Sequence, residues 1–244
     1  MPFVETHTGA NLHYEDVGAG PVVILVHGMF GTARTHFDAT IHHLSQHYRV
    51  IGPSLRGYGL STPKPRDFPP DFYQRDAEDV LALMDALAIE SAHVVGYSDG
   101  GEAALIAAGL QPERFRTLTT IGAVGYFGPQ MRPAVQRMYP VDWVSDEARA
   151  LHDIDNPTPM VMQWIRSMKM MIDLGGAQSL PFAENITCPV LMLLGEQDTL
   201  NPAAYAQVFL DRVRDGRLQL FPGGHAVHDH HPDVFMRTLE AFLE

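Results

Sequence analysis

The sequence has a single cysteine, Cys188, so no intrachain disulfide can form. A chain of 244 residues can bury a large core without such cross-links. Disulfides mark oxidising compartments, and residues 1–10 lack the basic and apolar segments of a signal peptide. We therefore expect a cytoplasmic protein.

Positive charge is also scarce. The chain has 17 Lys and Arg residues against 29 Asp and Glu residues, a net charge of −12. Such a chain lacks the basic surface that neutralises nucleic-acid phosphates. No apolar run approaches the roughly 20 residues that span a membrane. We expect a small-molecule substrate and neither a nucleic-acid nor a membrane partner, and the oligomeric state is left open.

Short apolar runs alternate with helical patterns along most of the chain. Residues 21–26 and 190–194 are continuously apolar, as in strands covered on both faces. The alternation predicts an α/β fold, with a mostly parallel central sheet and helices on both faces. In the helix expected after Pro70, Asp76 and Asp79 lie off the apolar stripe formed by Ala77, Val80, Leu81, Met84 and Leu87.

The pattern changes between residues 125 and 181. Methionines and aromatic residues cluster there, and prolines separate short helical pieces. We interpret residues 125–181 as a helical cap inserted over the carboxyl edge of the sheet, and residues 1–124 and 182–244 as the core domain. The alternative is that these are ordinary surface helices of the main domain.

Residues 96–100, Gly-Tyr-Ser-Asp-Gly, fit the G-x-S-x-G motif. An apolar run precedes them and a helix-forming run starts at Glu102, which is the strand–turn–helix context that the motif requires. A serine at such a sharp turn has a strained backbone, and its neighbours must be small. The motif predicts that Ser98 is a nucleophile.

A serine nucleophile needs a base and a group that orients the base. In this class the chain order is serine, acid, histidine. Asp198 follows the strand at residues 190–194 and His225 follows the strand at residues 218–221. Both therefore fall at the carboxyl edge of the sheet, where open α/β sheets place their sites. Glu196 is the rival acid.

The histidines near the chain end allow another interpretation. His225, His228, His230 and His231 lie close together, which could suggest a metal site. No second set of ligands accompanies them, and Pro232 is typical of a helix start. We therefore expect neither a metal nor a cofactor. His228 is a candidate neighbour of His225 facing the pocket.

The tetrahedral intermediate of acyl transfer needs an oxyanion hole. We expect its donors to be the backbone N–H of Asp99, after the nucleophile, and that of Met29, in the loop after the strand at residues 21–26. His27, in the same loop, is expected to be structural.

These motifs occur in the order typical of the α/β-hydrolase superfamily, which the chain resembles over essentially its whole length. The narrower likeness is to the valacyclovir hydrolase (biphenyl hydrolase-like) group, through residues 66–72, 96–101 and 104–108 and through His225 with His228. The resemblance implies the same nucleophile, acid and base. One departure is Ser54, where the superfamily often has an acid, which puts the anchoring of that loop in question.

Asp99 stands beside the nucleophile, where its carboxylate opposes the charge that develops on the oxyanion. A cationic substrate group would compensate, and the group that the chain resembles implies recognition of a substrate amino group here. We predict a serine esterase for small carboxylic esters, with Asp99 favouring α-amino acid esters. The alternatives are a lactonase, a carbon–carbon bond hydrolase or a perhydrolase with the same triad, and a weakly catalytic ligand-binding receptor.

Overall fold

The computed structural model describes residues 2–244. One sheet contains eight strands in the order β1-β2-β4-β3-β5-β6-β7-β8. Strands β3 to β8 run parallel to one another, whereas β1 and β2 are antiparallel additions at one edge. The strands are β1 (Phe3–Glu5), β2 (Asn11–Val17), β3 (Val22–Val26), β4 (Arg49–Pro53), β5 (Ala92–Tyr97), β6 (Phe115–Ile121), β7 (Val190–Gly195) and β8 (Gly216–Phe221). The predicted, mostly parallel sheet is confirmed.

Helices cover both faces of this sheet, as expected. They are α1 (Ala33–Leu44), α2 (Phe72–Ala86), α3 (Asp99–Leu110), α4 (Arg132–Gln136), α5 (Asp146–His152), α6 (Thr158–Asp173), α7 (Ala203–Leu210), α8 (Val227–His230) and α9 (Pro232–Leu243). Within residues 2–244, none of them combines the length and the apolar character needed to cross a membrane.

The continuously apolar strand β3 shows why the sheet is buried on both sides. Side chains alternate between the faces of a strand. Ile24 and Val26 therefore join the core that contains α2 and α3, whereas Val23 and Leu25 join the core that contains α1 and α9. All four side chains are fully buried. A polar residue at any of these positions would enter one core or the other.

The chain between β6 and β7 forms α4, α5 and α6 and docks on the loop that follows β4. His152 Nδ1 accepts a hydrogen bond from the Gly59 N–H at 2.8 Å. Ser167 Oγ donates to the carbonyl oxygen of Phe68 at 2.5 Å. These contacts fix the inserted helices relative to the sheet.

Two buried ion pairs anchor the same loop. Arg66 donates to both carboxylate oxygens of Asp76, at 2.7 and 2.5 Å, and Arg56 donates to both of Asp79, at 2.9 and 2.6 Å. The sequence placed Asp76 and Asp79 off the apolar stripe of α2, which predicts exposure. Both are fully buried in the structure. These carboxylates hold the loop that contains Ser54, whose anchoring the resemblance had put in question.

We predict that Asp76→Asn destabilises the fold by about 3–5 kcal/mol, because the buried Arg66 would lose its compensating charge. Urea unfolding measures the change in the free energy of unfolding. Asp67→Asn is the matched control, since Asp67 pairs with Arg75 at 2.7 Å but its side chain is 56% exposed. The control should cost no more than about 1 kcal/mol. Equal losses in the two variants would contradict this account of the loop.

Candidate active site

Ser98 occupies the sharp turn between β5 and α3. Its backbone angles are φ 53° and ψ −122°, a conformation that costs energy in a residue other than glycine. The turn brings α3 close to the end of β3, where a Cβ on Gly100 would lie only 2.4 Å from the carbonyl oxygens of Val26 and His27. Only glycine fits at residue 100, as the motif requires.

The loops after β7 and β8 bring an acid and a histidine together. Asp198 Oδ2 lies 2.7 Å from His225 Nδ1. Asp198 Oδ1 accepts the backbone N–H groups of Leu200 and Asn201 at 2.9 and 3.0 Å. Burial alone would raise the pKa of Asp198, but His225 and these N–H groups hold it below its ordinary value. Asp198 is therefore a carboxylate that orients the imidazole. Glu196 is exposed.

Packing also fixes the ring of His225. It lies 5.1 Å from the ring of Tyr97, and a Cβ on Gly122 would come within 2.7 Å of its Cε1 atom. Asn201 Nδ2 lies 3.3 Å from His225 Nδ1 and 3.5 Å from Asp198 Oδ2. The imidazole is held on several sides, so that Nε2 is the nitrogen free to exchange protons with a ligand.

Ser98 and His225 line one cavity of about 440 Å³ at the carboxyl edge of the sheet. Met138 and Trp143, between α4 and α5, and Trp164 of α6 also line it. Within residues 2–244, Ser98 makes no direct hydrogen bond to His225; such catalytic contacts often tighten only when substrate binds. The cavity has room for a small molecule in contact with both side chains.

The backbone around Ser98 presents two free donors. The N–H groups of Met29 and Asp99 donate to no acceptor anywhere in the described chain. The loop that carries Met29 is held by two histidines. His27 lies 2.7 Å from the Gly28 carbonyl through Nδ1 and accepts the Leu55 N–H through Nε2 at 2.8 Å.

His36 supports the same loop. Its Nδ1 accepts the Gly28 N–H at 3.2 Å. Burial lowers the pKa of His36 to about 4 and that of His27 well below its usual value. Both rings are therefore neutral near pH 7 and serve as hydrogen-bonding supports. For His27 this is the structural role that was expected.

Asp99 is buried beside Ser98, and the residue is 4% exposed. Tyr73 Oη donates to Asp99 Oδ1 at 2.8 Å, and Trp164 Nε1 lies 3.2 Å from both carboxylate oxygens. Burial raises the pKa of Asp99 to about 6. Among the residues described, no Arg, Lys or His nitrogen lies within 4.0 Å of its carboxylate. Asp99 is thus a buried carboxylate with neutral donors only.

The other histidines of the cluster lie away from the cavity. His228 is buried behind Tyr97, with ring centroids 4.6 Å apart, and does not line the cavity as the sequence had suggested. His230 is exposed and His231 Nε2 lies 2.7 Å from the Pro222 carbonyl. In the described part of the chain, no three His, Cys, Asp or Glu side chains are placed to share a metal ion.

Sequence reasoning missed four side chains that shape the site: Tyr73, Trp164, Asn201 and Arg137. Asn201 follows Asp198 by three residues and could have been found as part of the turn that carries the acid. Tyr73, Trp164 and Arg137 reach the site from α2 and the inserted helices. Their approach depends on tertiary packing, which no local pattern encodes.

The fold and the comparison with known families agree on the class of protein. The family model described as alpha/beta hydrolase fold matches residues 21–152. The chain belongs to this family of hydrolases.

Individual relatives within this family can also be named. The chain is 34% identical to "Serine hydrolase BPHL" of Mus musculus, over 97% of this chain and 84% of that protein. It is also 34% identical to the protein of the same name in Homo sapiens, with the same coverage. A solved structure of a meta-cleavage product hydrolase from Pseudomonas fluorescens superposes with a TM-score of 0.77 at 25% identity, covering 100% of this chain and 97% of that one. The resemblance drawn from the sequence motifs is confirmed.

We predict that Asp198→Asn lowers kcat by about 10⁴, because the amide cannot hold the imidazole in the required tautomer. Glu196→Gln is the matched control. It removes a carboxylate from the same loop, but one that does not contact His225, and should leave kcat within about twofold. Steady-state hydrolysis of an activated ester measures both, with thermal unfolding to verify the fold. A larger loss in Glu196→Gln would reassign the acid.

Proposed function

We propose that this chain is a serine esterase that cleaves small carboxylic esters through an acyl-enzyme. The observation that carries the proposal is the cavity that Ser98 and the Asp198-oriented His225 both line, next to two free backbone N–H groups. A nucleophile, an oriented base and oxyanion donors are the parts that acyl transfer requires.

In the proposed reaction, His225 Nε2 takes the Ser98 proton as Oγ attacks the ester carbonyl. The N–H groups of Met29 and Asp99 stabilise the oxyanion of the tetrahedral intermediate. His225 then gives the proton to the leaving alcohol, and the acyl group stays on Ser98. Water, deprotonated by His225, attacks the acyl-enzyme and releases the acid. Asp198 stabilises the imidazolium in both steps.

We further propose that Asp99 binds the ammonium of an α-amino acid ester. A void of about 10 Å³ lies between Ser98, Asp99 and Asn201. About 10–15 Å³ holds one water molecule, and an ammonium group is of similar size. Trp164 and Leu200 line both this void and the main cavity, so the two spaces adjoin. A cation there would compensate a carboxylate that has no charged partner.

The inserted helices are proposed as the cap of this site. Residues 125–181 supply Trp164, which contacts Asp99, and Met138 and Trp143, which line the main cavity. In this proposal, residues 125–181 select the substrate. Residues 1–124 and 182–244 form the core domain that carries the catalytic groups.

Other hydrolases with this fold use a serine triad on different bonds. A lactonase, a carbon–carbon bond hydrolase or a perhydrolase would need the same three side chains, and one structural neighbour is a meta-cleavage product hydrolase. Epoxide hydrolases and dehalogenases are disfavoured, because they use an aspartate where Ser98 stands. Asp99 favours the amino acid ester, since it gives the site a buried negative charge beside the nucleophile.

The test of the esterase uses a fluorophosphonate probe and p-nitrophenyl acetate. We expect the native chain to be labelled and to turn over the ester. Ser98→Ala should lose both by at least about 10³-fold while keeping its thermal unfolding curve. Absence of labelling and turnover in the native chain would favour a ligand-binding receptor. Undiminished hydrolysis by Ser98→Ala would place the nucleophile elsewhere.

The test of Asp99 uses two esters of one alcohol, an alanine ester and its N-acetylated form. We expect kcat/KM to favour the free amine by about 10- to 100-fold, the range of a charge-assisted hydrogen bond. Asp99→Asn should remove that preference, because the amide has no charge to offer the ammonium. Glu102→Gln is the control. Glu102 is buried on the same helix and lines the same void, but its oxygens already accept the N–H groups of Val124 and Gly125 and the Ser179 hydroxyl, so its variant should keep the preference. Equal preference in the native chain and in Asp99→Asn would contradict the assignment.

The ratio of kcat/KM for the alanine ester to that for its N-acetylated form should depend on pH. Burial raises the pKa of Asp99 to about 6, so the carboxylate loses its charge as the pH falls through that value. The preference should therefore be full near pH 7 and decrease below about pH 6. Dividing by kcat/KM of the acetylated ester cancels the pH dependence that the two esters share. A constant ratio from about pH 5 to pH 7 would argue against recognition by Asp99.

A further inference from the structure

The main cavity contains one arginine that the proposed reaction does not use. Arg137 follows α4 and lines the same cavity as Ser98 and His225. Among the described residues that line this cavity, it is the one Lys or Arg side chain. It is exposed, whereas Asp99 is buried beneath the nucleophile. The two charges therefore lie at the rim and at the base of the site.

Arg137 is held in place without being neutralised. Its Nη2 donates to Thr199 Oγ1, in the loop after β7, at 3.0 Å. In the part of the chain described by the structure, no carboxylate lies within 4.0 Å of its guanidinium. By contrast, Arg132 and Arg149 of the inserted segment pair with Asp173 and Asp146. The guanidinium is fixed by a neutral group, and its charge remains available.

The chemistry of this position favours an anion. A guanidinium presents several N–H donors in one plane and binds carboxylates and phosphates in a two-point geometry. One donor is used by Thr199, and the Thr199 hydroxyl and Gln197 also line the cavity. The net charge of −12 would otherwise repel an anionic substrate, so a cation at the rim matters more here than on a neutral protein.

We propose that Arg137 and Thr199 form a subsite for an anionic group, such as a carboxylate, on the alcohol part of the ester. This inference rests on the proposed esterase function. With the acyl part bound next to Ser98 and the amine against Asp99, the alcohol part extends toward the exposed rim. The substrate class is then a dipolar ester, with a cation near the reacting carbonyl and an anion at the other end.

The test compares 4-acetoxybenzoate with its neutral methyl ester, methyl 4-acetoxybenzoate. The quantity measured is the ratio of kcat/KM for the anionic ester to that for the neutral ester. Arg137→Gln should lower this ratio by about five- to tenfold, between the range of an exposed ion pair and that of a charge-assisted hydrogen bond. Arg137→Lys should retain part of it. Salt at about 1 M, where the Debye length is about 3 Å, should lower the native ratio toward that of Arg137→Gln.

Arg132→Gln is the matched control. It removes the same charge from the start of the short helix that Arg137 follows, but Arg132 pairs with Asp173 and does not line the cavity. Its ratio should equal the native one. The proposal is overturned if Arg137→Gln keeps the native ratio, if both esters lose rate equally, or if Arg132→Gln lowers the ratio as much. Failure of the esterase itself would look different, because the native chain would then cleave neither ester, or Ser98→Ala would cleave both.

Discussion

The close approach of α3 to the end of β3 is the contact on which the whole site depends. Gly100 permits it, since any side chain there would meet the carbonyl oxygens of Val26 and His27. The approach sets Ser98 in its strained turn, against the loop that carries Met29, where a Cβ on Gly28 would lie 2.9 Å from Ser98 Cβ. Strain of this kind persists only when surrounding packing determines it, and here the two apolar cores on either side of β3 provide that packing.

The parallel sheet then collects the remaining groups. Parallel strands end at one edge, so the residues that follow β5, β7 and β8 meet there although they are far apart in sequence. That is why the order of strands and the motifs after them could predict the contact between Asp198 and His225. The continuously apolar runs also predicted the sheet, because strands buried on both faces are typical of parallel sheets that are covered by helices on each side.

The sequence could not predict the groups that come from other elements. Asp76 and Asp79 look like the polar side of α2, yet the arginines that neutralise them stand in a loop without regular spacing. Trp164 and Tyr73 reach Asp99 from different helices, and no periodicity links them. His228 is near His225 in sequence, but the short helix α8 turns its ring behind Tyr97. In each case, the side chain that a residue contacts is determined by packing between elements that are distant in sequence.

Asp99 and Glu102, both on α3, differ in how completely the protein satisfies their carboxylates. Glu102 and Asp99 are both buried, and burial raises the pKa of each. Glu102 accepts two backbone N–H groups and a hydroxyl, which bind its oxygens within the protein. Both acids line a void the size of one small polar group, but among residues 2–244 Asp99 has only two neutral side-chain donors, Tyr73 and Trp164, and no backbone N–H on its carboxylate. A buried charge with incomplete compensation is costly, and the cost is recovered when a cation enters. In the proposed function, the carboxylate beside Ser98 is therefore the one that a substrate cation would compensate.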